Sequence, residues 1–400
     1  MIRIFPFLAL LCCFSLAMAP SVRAELPLGV PVDGPTFRGT LAAADASGKL
    51  RFADAGKPLE ILAADLAWWG ALAEPAAGAQ IILADGGTIV ADGVRIEAEQ
   101  VHGRSQSLRP FKLPLELVAG IILQPPADRA TLDAWTARIA AASGQTDRLL
   151  LDNGDELTGS VAGLTEKIVP LESDEGKVDV GVDKVAAIIF NPTLVHKSRA
   201  SGPRMLLGFA DGSRLTAIEL IADAGGARLK LAGGAELKTA TDEIAALQPL
   251  GGKVVYLSDL KPISYRHVPY LQLEWPFYAD RNVLGSRLRA GGRSFAKGLG
   301  MHSPSRITYD LDRPYRRLDA ELAIDEEAAD RGSVIFRVLV DDGRGAWTER
   351  ATSEVIRGGQ SPVPISVDLS GAKRVSLLVD YADRADELDH ADWLNARLVR

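Results

Sequence analysis

A turn signal recurs four times before residue 252, and it limits this region to a succession of short β-strands. Asp33-Gly34, Asp85-Gly86, Asn153-Gly154 and Asp211-Gly212 each join an Asp or Asn to glycine. Both residue types tolerate positive φ, which a tight hairpin needs. Four residues after each Asp or Asn stands an apolar side chain (Phe37, Ile89, Leu157, Leu215), and two further on a small one (Gly39, Ala91, Gly159, Ala217). Each copy closes on an apolar run with a proline, at Pro75, Pro125, Pro192 and Pro249. Turn and proline are 42, 40, 39 and 38 residues apart. A shared period with shared ends defines an internal repeat, with units at about 31–75, 80–125, 148–192 and 205–250. Strands this short between glycine turns predict small, bent barrels or meanders with the size and pattern of SH3-like or Sm-like barrels. Leu132, Trp135 and Ile139 fall at i, i+3 and i+7 and predict a short helix near 130–142, ended by Gly144.

The chain has 400 residues, enough for two or three domains, and a formal net charge of -7. That charge argues against sequence-independent nucleic-acid binding, which needs clustered Lys and Arg. Arg3, the apolar residues 5–19 and Val22-Arg23-Ala24 read as a secretory signal over residues 1–24. The mature chain is then expected to be secreted or periplasmic, with no membrane span. Cys12 and Cys13 both lie in this segment. The mature chain would therefore lack a thiol for catalysis, a disulfide or a thiolate metal site.

After Gly251-Gly252 the texture changes. Leu318, Ala320, Leu322 and Ile324 alternate with Asp319, Glu321 and Ala323, and similar alternation runs through Val334 to Val340, Val363 to Leu369 and Val375 to Val379. Period two over several segments means half-buried strands, and with no long helix pattern it predicts two packed antiparallel sheets over residues 253–400. Four segments carry a family resemblance. They are Val255-Tyr256-Leu257-Ser258-Asp259-Leu260, Lys297-Gly298-Leu299-Gly300-Met301-His302-Ser303-Pro304-Ser305, Ala323-Ile324-Asp325-Glu326-Glu327 and Leu388-Asp389-His390-Ala391-Asp392-Trp393. In this order they resemble NPCBM, the carbohydrate-binding module appended to glycoside hydrolases of family 98 and to some α-galactosidases. The resemblance implies a galactose-binding-like jelly roll, and hence an all-β chain: an array of short-stranded repeats followed by a β-sandwich. It also implies glycan binding, with galactose-containing sugars first in line. Met301 stands where a small aliphatic residue is commoner in the family, and Leu394-Asn395 replaces a usual Ala-Asp pair.

A sugar site needs an apolar plate and a few placed hydrogen-bonding groups. Trp393 is one candidate plate: strict alternation turns it away from Leu394, Ala396 and Leu398, either outside the sandwich or beneath a covering loop. Trp347 follows Asp341-Asp342-Gly343-Arg344-Gly345, a loop-tip sequence. His302 follows a glycine-rich run, and Asp389, His390 and Asp392 cluster before the last strand. With Asp325 or Asp383, these carboxylates are candidate ligands for a calcium ion. Each residue also has a structural alternative: a core tryptophan, a strand-bonded histidine, a turn-stabilising carboxylate. Trp68-Trp69 offers a further platform, or one ring in a core and one at an interface. Catalysis is not expected. Ser303, His302 and Asp389 share no nucleophile elbow, and adjacent Asp325, Glu326 and Glu327 do not face one another across a cleft.

Two functions remain open. One is an exported, non-catalytic glycan-binding protein on a repeat scaffold. The other is a structural protein of the cell envelope whose repeats hold other envelope proteins, without sugar affinity. An aromatic-lined groove favours the first and a flat apolar patch the second.

Overall fold

The computed structural model describes residues 25–53, 57–197, 202–269 and 272–400. The expected signal segment, with both cysteines, lies outside the described residues. Among them the only α-helix is Arg129–Ala140. No helix among them is long and apolar enough to cross a membrane.

The N-terminal region holds four similar five-stranded units, whose first strands are Leu28–Pro31, Ala79–Leu83, Asp147–Leu151 and Arg204–Phe209. In the first unit the second strand is broken at Gly39, where a Cβ would lie 2.8 Å from the Ala53 carbonyl oxygen. Each Asx-Gly pair turns the chain from first strand to second, with glycine φ of 95°, 89°, 91° and 84°. The Asp85, Asn153 and Asp211 side chains lock their turns by accepting from the amide two residues on, at 2.9–3.0 Å. A single 3₁₀ turn precedes each last strand: Ala63–Asp65, Leu115–Leu117, Val182–Lys184 and Thr241–Glu243. The last strand returns antiparallel to the first, as in Ile81↔Ile121, Leu149↔Ile188 and Leu207↔Leu247. That closure makes each unit a small barrel.

The units also pair with one another. Leu66–Gly70 of the first binds Ile244–Leu250 of the fourth, and Val118–Ile122 of the second binds Val185–Ile189 of the third. Arg214↔Thr88 joins the fourth to the second, so the spatial order is one, four, two, three. One apolar cluster runs through all four. The helix lies on the second and third units, with Ile139 buried among Ile82, Ile122, Leu150 and Ile189. Asp128 caps its start by accepting from the Thr131 amide at 2.8 Å. It stops at Ala140, ahead of Gly144.

The C-terminal region is a sandwich of two antiparallel sheets. The first runs Tyr278–Ala279, Gly298–His302, His390–Val399, Arg317–Ile324, Val363–Asp368, and Val254–Tyr256 pairs with the end of its central strand. The second runs Ser264–His267, Ser305–Asp310, Arg374–Tyr381, Ser333–Asp341, Trp347–Thr352, with Ile356–Arg357 added beside Ser333–Asp341. All ten residues of His390–Val399 are buried. One face of this strand meets the inner core at Phe336, and the other meets Leu288 and Phe295 and, near its end, the repeat array through Val32 and Leu250.

This strand corrects the expectation for Trp393. Asn395 adopts φ 49°, and the register jumps from Glu321↔Leu394 to Asp319↔Arg397. Such a bulge resets the alternation. Trp393, Ala396 and Leu398 therefore share the inner core, and Leu394 points to the other cluster. Trp393 is fully buried, edge-on to Phe336 at 4.9 Å, so it is a core residue and not a sugar plate.

Array and sandwich meet over charged groups taken out of water. Arg289 grips Glu74 with two bonds, at 3.0 and 3.2 Å, and Asp133 of the helix at 2.7 Å. Arg287 reaches Asp133 at 3.1 Å. Of the tryptophan pair, Trp69 is in the core with its indole N–H on the Gly39 carbonyl at 2.8 Å. Trp68 faces the junction, with the Arg293 guanidinium 5.4 Å from its ring centre.

Candidate functional site

His302 ends the strand Gly298–His302, and its register partner His390 opens the central strand. The antiparallel pairing thus brings two imidazoles from distant sequence to one sheet end, 5.8 Å apart between ring centres. Trp275 lies over them, stacked on His302 at 4.7 Å and within 6° of parallel, and 6.1 Å from His390. His267 anchors the Trp275 loop. Its Nδ1 accepts from the Trp275 amide and its Nε2 donates to the Ser303 carbonyl, both at 3.2 Å.

The electrostatics keep the pair neutral. Burial lowers the His302 pKa below its ordinary value and pushes His390 down to about 4, with His302 adding to the effect on His390. His302 Nδ1 donates to the Ser303 carbonyl at 2.8 Å, which leaves Nε2 with a lone pair. His390 Nδ1 is buried with no hydrogen-bond partner among the described residues. Two neutral imidazoles under a half-buried indole supply a donor, acceptors and an apolar plate, the groups that a sugar ring with neighbouring hydroxyls matches.

Asp389 lies beneath this site and is wholly buried. It accepts from Ser303 Oγ at 2.5 Å and from the Ser333 amide at 2.8 Å. Burial still pushes its carboxyl up to about 6. A carboxyl with a raised folded pKa stabilises most below the unfolded value near 3.8, and that contribution is lost as pH rises through about 6. His390 works in the opposite sense: its contribution is complete above 6.5 and fades as pH falls toward about 4. We therefore expect Asp389→Asn to be more favourable to stability at pH 8 than at pH 4, by about 3 kcal/mol for roughly two pKa units of linkage. Urea denaturation at the two pH values checks this; an equal effect at both would contradict it.

The Ser303, His302 and Asp389 set is not a nucleophile triad. The Ser303 hydroxyl binds Asp389, and His302 binds the Ser303 carbonyl instead of the hydroxyl.

The other candidates fall elsewhere. Trp347 is half-buried on the second sheet, and the guanidinium groups of Arg306 and Arg374 lie 4.3 and 5.8 Å from its ring centre. Asp392 is fully buried, and neither carboxylate oxygen receives a donated hydrogen bond among the described residues. Burial first, then the charge of Asp325, raise its pKa well above the ordinary carboxyl value, so it keeps its proton. Asp325 is itself buried and spends its oxygens on Asn282 Nδ2 and the Glu327 and Arg289 amides, at 3.0, 3.0 and 3.1 Å. Asp383 is exposed and paired with Arg357 at 2.5 Å. Asp325 and Asp383 therefore do not converge, and no group of three acidic, His or Cys side chains suited to a metal ion occurs among the described residues.

Trp275 and His267 were not legible as site residues. Both lie where period-two alternation lapses between Ser264 and Tyr278, and the Trp275-Pro276 pair inside that lapse was the available signal.

Comparison with known proteins agrees with this C-terminal domain. Residues 253–399 match the NPCBM/NEW2 domain. A Renibacterium salmoninarum protein described as an endo-alpha-N-acetylgalactosaminidase is 34% identical over 115 residues, 29% of this chain and 7% of that one. Alpha-1,3-galactosidase B of Akkermansia muciniphila is 31% identical over 120 residues, 29% of this chain and 14% of that one. The match thus spans only a small part of each relative. Among solved structures, the CBM51 of a Clostridium perfringens GH95 protein in complex with methyl-galactose is 23% identical, covering 36% of this chain and 99% of that one with a TM-score of 0.32. The family match makes the last third of the chain an NPCBM/NEW2 domain, a carbohydrate-binding-module family.

Proposed function

We infer that the chain is an exported, non-catalytic glycan-binding protein whose sugar site is the Trp275–His302–His390 cluster. The carrying observation is the half-buried Trp275 ring stacked on a neutral His302 at the sheet end. Galactose-containing glycans are the first candidates, since both curated relatives carry names of enzymes acting on galactose-type sugars. Axial and equatorial hydroxyls of such a ring would bond His302 Nε2 and His390, with the C–H face on Trp275. Affinity is expected in the micromolar to millimolar range, about −8 to −4 kcal/mol.

The test is a glycan array probed with the full chain and with Trp275→Ala. The reading expects binding to galactose-terminated glycans that falls at least about tenfold in the variant. Silence across a galactose-rich array would sink it.

A further inference from the structure

We propose that the third repeat unit docks an extended cationic segment of a partner protein. In every unit the Asx-Gly turn and the strand after it form one face; in the second and fourth units that face is engaged along its strand, and in the first the turn is engaged. In the first, Asp33 accepts from Arg316 and Arg317 of the sandwich at 2.8 and 2.7 Å. The second and fourth cover each other. The Val90 amide donates to Ser213 Oγ at 2.9 Å, the Ser107 amide donates to Asp211 at 3.3 Å, and Arg214 pairs with Thr88. Thr88, Ile89, Val90 and Ala91 are buried as a result.

The third face is open. Asp152, Asn153, Gly154, Asp155 and Glu156 are all exposed, and the strand Glu156–Val161 alternates exposed and half-buried up to its last residue. Its own chain reaches it through Arg138 and Arg148, both on Glu156. Beside it opens a cleft of about 760 Å³. Val178 and Leu194 on its walls are 47% and 72% exposed, an apolar cost that a bound partner would remove.

Charge decides the occupant. Five acidic side chains line the cleft; Arg138 and Arg148 hold Glu156, Lys177 holds Glu172, and Asp147 accepts from the Val161 and Asn191 amides. Asp174 and Glu175 have no partner among the described residues. The molecule already shows what answers such a face: the first unit's turn holds Arg316-Arg317, followed by the apolar Leu318. A segment with paired arginines next to an aliphatic residue would set its cations against Asp174 and Glu175 and its apolar side chain on Leu194 and Val178.

The test uses the full chain and a fluorescent peptide, Arg-Pro-Tyr-Arg-Arg-Leu-Asp, which repeats residues 313–319. A control peptide carries Glu for each Arg. The proposal expects anisotropy to report binding of the first peptide only, weakened about tenfold by Leu194→Asp and by raised salt. Leu194 is exposed, so this variant should fold as the parent does, which its far-UV circular dichroism checks. Equal binding of both peptides, or binding that ignores Leu194→Asp, would overturn the proposal. So would a dimer in sedimentation that Leu194→Asp splits, because the occupant would then be a second copy of this chain.

Discussion

Arg289→Ala is expected to destabilise the protein by about 3 kcal/mol, read as a lowered urea midpoint. Breaking a buried ion pair from one side leaves an uncompensated charge, a loss of roughly 3–5 kcal/mol. Here Arg289 serves two carboxylates at once, Glu74 of the array and Asp133 of the helix. The lower end applies because Arg287 stays on Asp133 and Ser294 Oγ still donates to Glu74. The acid limb gives a second readout. Burial pushes the Glu74 carboxyl up, but Arg289 and Ser294 together outweigh it and bring it down to about 2. Its contribution is therefore present above the ordinary value of 4.5 and is lost as pH falls toward about 2. The wild type should lose stability across that window and Arg289→Ala should lose less. A change below about 1 kcal/mol, with an unaltered acid limb, would mean that water fills the junction and the two regions stand independently.

The second large effect is expected at Trp393. Trp393→Ala should cost about 3–5 kcal/mol, since it empties a fully buried indole site in a close-packed core. Trp393→Phe should cost much less. It keeps an aromatic ring against Phe336 and removes an indole N–H that is buried with no acceptor among the described residues. Thermal melts of both variants separate this role from a sugar plate. A plate would tolerate alanine in the melt and lose glycan binding instead.

Much of the fold was legible because its signals are local. Positive φ at Gly34, Gly86, Gly154 and Gly212 needs glycine at those positions, and the Asp85, Asn153 and Asp211 side chains close three of the four turns, so the turns stood out in the sequence. Period-two alternation exposed the sandwich strands for the same reason: each residue's face follows from its neighbour's. The reading failed at Asn395, where one left-handed residue shifted the register and turned Trp393 inward. No composition rule marks an asparagine bulge of this kind. The site itself was half legible. His302 and His390 come from segments that carry the family resemblance, but their partner Trp275 is placed by a loop that His267 ties down. That contact depends on pairing across the sheet and on no spacing in the chain. Asp383 is near in sequence to Asp389, yet its side chain turns to Arg357 at the surface, a placement that no spacing in the chain marks.

The most direct measurement is an NMR titration of the imidazole and indole resonances with a galactose-terminated oligosaccharide. The account predicts that the His302, His390 and Trp275 side-chain signals shift together along one saturation curve at pH 7, where burial keeps both imidazoles neutral. Shifts at Trp347 that leave these three signals in place would contradict it and move the sugar site to the second sheet.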